Sequence, residues 1–104
     1  MAGRMRTELQ ALCGHAGGLC DNWQASGYAA RVAEVSALSL AIRSSGVAPR
    51  DPLWSAFCAL DERIRALTSV VDRHRPSCST RAIEIAIEAV ARAIEAAQKA
   101  LRLS

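Results

Sequence analysis

This chain of 104 residues predicts an all-α fold, an antiparallel up-and-down four-helix bundle, from three observations. Apolar residues recur at spacings of three and four in four separate segments, as they do when one face of a helix is turned toward a core. Clusters of Gly, Ser, Pro and Asn separate those segments and punctuate helices. The strict alternation of a half-buried strand does not occur, and connections this short make consecutive helices antiparallel neighbours. The length suits one domain, residues 1–104. The alternative arrangement is a helical-hairpin dimer in which the first two helices swap or splay.

The first helix is predicted to begin between Arg4 and Thr7, with Met5, Leu9, Leu12, Ala16 and Leu19 on its apolar stripe. Gly14 weakens its middle, and Gly17-Gly18 reads as its stop, because glycine accepts the left-handed conformation that ends many helices. Periodicity resumes near Ala25 to Gly27 and runs through Tyr28, Val32, Val35, Leu38 and Ile42 until Ser44-Ser45-Gly46. Within this second helix the run VSALSLAI has no charge and is apolar on nearly every face. A helix apolar all round needs cover all round, so the run predicts that a second chain, completing the bundle by dimerisation, or another partner covers the outer face.

The third helix has the clearest start, Asp51 as N-cap followed by Pro52 at the first helical position, where the missing N–H costs nothing. Its stripe is Leu53, Phe57, Leu60, Ile64, Leu67 and Val71, flanked by Trp54 and Cys58, and Pro76 closes it. The fourth helix should start at Ser79 or Thr80 and reach about Leu101. Ile83, Ile87, Val90, Ile94, Ala97 and Leu101 oppose a charged face of Arg81, Glu84, Glu88, Arg92, Glu95 and Lys99. Ile85 falls on that charged face, where an apolar side chain is out of place unless something covers it.

Charge and composition narrow the function classes. The net charge is +3, from 13 basic and 10 acidic residues, short of the basic stripe of a dedicated nucleic-acid binder. MAGRMRTELQ lacks the apolar core of a signal peptide, and no apolar run is long enough to span a bilayer. A cytoplasmic protein that does not enter membranes is therefore expected, with its four cysteines reduced. Nucleophile elbows, phosphate-binding glycine loops and zinc-protease motifs are absent from the sequence. A non-enzymatic chain without a cofactor is expected.

Three candidate sites remain. The first is an interaction surface of Val35, Leu38, Leu40 and Ile85 with the two tryptophans, Trp23 and Trp54, for a protein partner or a second copy in a homodimer. The second is an anion or nucleic-acid site of Arg73, His74, Arg75 and Arg81 around the start of the fourth helix, whose free N–H groups favour negative charge. A solvated loop in which Asp72 offsets the arginines is the plainer reading.

The third site is a metal or redox centre. Up-and-down topology brings the first and third connections to one end of the bundle, so His15, Cys20, His74 and Cys78 would be neighbours there. The stretch CGHAGGLCDNW carries the first two of these and also Cys13. On one unbroken helix Cys13 and Cys20 would stand ~10 Å apart along the axis, too far for a shared tetrahedral ion. A cage that used both therefore needs the chain to turn at Gly17-Gly18. With the helix ending at Gly17-Gly18 the plainer reading of His15 is a residue of that helix's last turn, and unless the turn meets His74 and Cys78 the cysteines are plain thiols. The primary expectation is an adaptor, accessory or inhibitor that works by contact with protein. A nucleic-acid-binding regulator and a metal or redox sensor are the alternatives.

Overall fold

A computed structural model of the protein describes residues 2–21, 23, 27–44, 52–74 and 80–103. They form four helices: α1 (Ala2–Asp21), α2 (Tyr28–Arg43), α3 (Pro52–His74) and α4 (Thr80–Leu103). The helices form an up-and-down bundle measuring 43 × 22 × 18 Å. The α3–α4 interface is the most extensive, α1 packs on both α2 and α4, and α1 also approaches α3. α2 leans chiefly on α1 and meets α3 through Ser39 and Arg43.

The predicted stripes make the core. Leu9, Leu12, Ala16 and Leu19 of α1 are buried with Leu53, Phe57, Leu60, Ile64, Leu67 and Val71 of α3 and Ile83, Val90, Ala97 and Leu101 of α4. α2 adds Tyr28, Val35 and Ile42, while Ile87 and Ile94 of α4 are partly buried against the same cluster. At about 25 cal/mol per Å² of apolar surface removed from water, this shared burial is what joins the helices. Pro52 stands at the first position of α3 as predicted, and α2 ends at Ser44, whose N–H donates to the Leu40 carbonyl at 3.0 Å. Asp51, Ser45, Gly46, Pro76 and Ser79 lie outside the described residues. No helix among the described residues is long and apolar enough to cross a membrane.

One element departs from expectation. α1 starts at Ala2 and does not stop at Gly17-Gly18 but continues through both glycines to Asp21. The reason lies in the next two side chains: Leu19 is fully buried and Cys20 packs against the core. Burial of those side chains outweighs the roughly 1 kcal/mol by which each glycine disfavours a helix. At Gly18 an added Cβ would stand 3.2 Å from the Arg31 guanidinium of α2, the movable end of an exposed side chain.

Gly14 and Gly17 differ in having open space where a Cβ would stand. Gly14→Ala and Gly17→Ala should each therefore raise the stability of the fold by about 0.8–1 kcal/mol. The gain would appear as a higher urea midpoint with an unchanged m-value.

Candidate interaction surface

α2 and α3 do not close on each other along their whole length. Between them runs a groove of about 310 Å³, with buried Val35 and Ile64 among its lining residues, Val32, Ser36 and Leu40 along α2, and Arg65 and Thr68 along α3. Buried Asp61 lies at the groove and binds both helices together. Its carboxylate accepts a hydrogen bond from the Ser39 hydroxyl at 2.7 Å and another from the Arg43 guanidinium. Arg65, one turn along α3, reaches the same carboxylate through Nε at 3.2 Å. Two α2 side chains and one α3 side chain thus satisfy a charge that would otherwise be costly to bury.

Arg43 has a second contact. Its guanidinium lies 5.4 Å from the centre of the Phe57 ring, and Phe57 meets Trp54 at 5.4 Å with a tilt of 45°. These are cation–π and tilted aromatic geometries. They fix the C-terminal end of α2 over the first turns of α3.

The residues expected to form an interaction surface divide into two groups. Val35 is buried in the core, and Leu38, Trp23 and Trp54 are partly buried against it. Leu40 and Ile85 are exposed, with 66% and 55% of their surface in solvent. Leu40 stands at the groove, whereas Ile85 is on α4 among charged residues. Around Leu40 the outward stripe of α2 is Ala29, Ala33, Ser36, Ala37 and Ser44, with no charged residue in it. Glu34 and Arg43 border that stripe, and both turn to neighbouring helices, Glu34 to His15 of α1 at 3.4 Å and Arg43 to Asp61 of α3. A more open groove of about 520 Å³ between α1 and α4 has a polar wall of Arg6, Gln10, Gln98 and Arg102, as a solvated surface does.

At the metal candidate the course of α1 decides the spacing of the two cysteines and the place of His15. Because α1 is continuous, Cys13 and Cys20 stand about 10 Å apart along its axis. That removes any joint chelation by the pair. His15 is likewise not in the last turn of α1 but a turn and a half before its end, facing Glu34. Cys20 points its thiol at the Ile87 carbonyl of α4, 4.0 Å away. Among the described residues no group of three His, Cys, Asp or Glu is placed to hold a metal ion. Cys78, Arg75 and the side chain of His74 lie outside the described residues, while Arg73 and Arg81 are exposed at the end of α3 and the start of α4.

Sequence reasoning passed over Asp61 and Ser39. The available signal was a carboxylate between Leu60 and Ile64 with Arg65 four residues on, one polar position beside an otherwise apolar stripe.

Two predictions arise from these environments. Asp61→Ala should destabilise the protein by about 1–3 kcal/mol, since the Ser39 hydroxyl and two guanidinium groups lose their acceptor. Hydrogen exchange should then accelerate in α2 more than in the α3–α4 pair. Burial, and secondarily the Asp21 carboxylate, pushes the Cys20 thiol up to about 11, and burial raises Cys13 as well. At pH 8 both should alkylate far more slowly in the folded chain than in denaturant. The unfolded thiol ionises near pH 9.0, so the stability linked to Cys20 is complete below that pH. It is lost as pH rises toward 11, and Cys20→Ala should flatten that part of a stability-versus-pH curve.

Comparison with family models, with curated proteins and with solved structures found no match to this chain.

Proposed function

We propose that this protein is a non-enzymatic interaction module, which acts by offering the outer stripe of α2 and the adjoining α2–α3 groove to a helical protein partner. The observation that carries this reading is the pairing of exposed Leu40 with a groove beside it, on a helix face without charge. A single exposed leucine is ordinary on a protein surface. A leucine at the mouth of a groove, with small side chains along its own helix and the groove's charges, Arg43, Asp61 and Arg65, paired with one another, is the arrangement of a helix-in-groove contact. Solvent-facing α3 and α4 differ: they carry Glu62, Arg63, Arg65 and Asp72 on one and Glu84, Glu88, Arg92, Glu95 and Lys99 on the other.

The test is a comparative capture from the native cell with three baits, the unaltered chain, Leu40→Asp and Ile85→Asp. Both substitutions are at exposed positions and should leave the fold intact. Leu40→Asp is expected to lose proteins that the unaltered chain and Ile85→Asp both retain, by tenfold or more in recovered amount. Equal recovery with all three baits would overturn the reading.

A further inference from the structure

The uncharged outer stripe of α2 raises the question of which surface covers it, and the stripe itself supplies the answer. Its residues are Ala29, Ala33, Ser36, Ala37, Leu40 and Ser44: one large apolar side chain and five small ones. A partner with charge at the contact would have to desolvate it without gaining an opposite charge, because the stripe holds none, Arg43 at its edge is held by Asp61, and Glu34 stands off the stripe beside His15. Electrostatic complementarity therefore demands an uncharged partner face, and shape demands one large side chain to set among small ones. A second copy of the same stripe meets both demands.

The register follows from the positions. A two-fold axis that opposes the whole stripe to itself passes between Ser36 and Ala37. It sets Ser36 against Ala37 of the partner subunit, Leu40 against Ala33 of the partner subunit and Ala29 against Ser44 of the partner subunit. The overlap that covers the most stripe is thus also the one that seats each leucine on an alanine. Small residues at the remaining positions allow close approach of the two backbones, and Val32 and Ser36 at the edge of the groove flank the leucine's seat. We propose that the protein pairs with itself through antiparallel α2 helices about this axis. The proposal rests on the interaction reading above and names the occupant of that surface.

The size of the contact sets its strength. The 16 residues of α2 span about 24 Å, and one helix laid on another covers less than the roughly 800 Å² per partner of a standard stable complex. A closed, two-fold and reversible dimer is expected, weaker than a complex of standard interface size.

Sedimentation equilibrium of the full chain from ~10 µM to ~1 mM tests this proposal. The mass should climb from 11.1 kDa toward twice that value. Ala37→Glu and Ala37→Lys, each at an exposed position of α2, should keep the helical circular dichroism of the parent and stay at the monomer mass, since each puts like charges beside the axis. An equimolar mixture of the two should associate again, because the axis then brings Glu and Lys together. An unaltered chain that remains monomeric throughout overturns self-pairing, as does association that survives Ala37→Glu alone or a mixture that stays monomeric. If self-pairing is overturned while Leu40→Asp still loses captured proteins, the interaction reading stands with another partner in the groove. If Leu40→Asp loses none, that reading fails as well.

Discussion

The Asp61 carboxylate holds the free edge of this bundle. α1, α3 and α4 are joined by broad apolar burial, and α2 shares it through Tyr28, Val35 and Ile42 but leans chiefly on α1. Toward α3, Ser39 and Arg43 reach across to one buried acid that Arg65 also engages. A buried charge of this kind is a modest source of net stability and a strong source of register. Only one axial setting of α2 against α3 brings the hydroxyl and the guanidinium to the carboxylate. Arg43 over Phe57 reinforces the same setting, so the open groove alongside has a defined shape.

That constraint accounts for the two characters of α2. Its inner face is core and its α3-facing flank is polar and directional. Its outer face is alanine, serine and leucine, and the bordering charges reach sideways, Glu34 to α1 and Arg43 to α3. The solvent-facing sides of α3 and α4 carry glutamate, arginine and lysine, as a helix that meets only water does. The contrast lies within one chain, so overall composition cannot explain it. The exposed Leu40 belongs to this face, whereas Ile85 is isolated among charged neighbours.

The thiols follow a different logic. Cys13 is buried and Cys20 is half-buried between α1 and α4, with its thiol raised well above its ordinary range. Burial of this kind suits small apolar side chains that hold helices together and opposes thiolate formation. Continuity of α1 is responsible, since it spaces Cys13 and Cys20 along one rod and carries His15 to the flank of α2.

Much of the architecture was legible because helical burial repeats locally. The stripes of α1, α3 and α4 mark their core residues through spacing alone, and Pro52 and Ser44 mark ends because backbone geometry acts over a few residues. Ile85 was recognisable as exposed apolar surface for the same reason. What local pattern does not carry is competition between near and distant terms. Gly17-Gly18 has the composition of a helix stop, yet packing of Leu19 and Cys20 on other helices outweighs it. Val35 and Leu38 belong to an uncharged run, but only the neighbouring helices divide that run into core and surface. Asp61 looks like one more charge in α3 until Ser39 and Arg43, distant in sequence, converge on it. The sequence by itself determined four helices and the faces they bury, because periodicity is a property of a single helix. The tertiary structure alone decided which charges are satisfied across helices and which face of α2 is turned to solvent, because both depend on side chains distant in sequence.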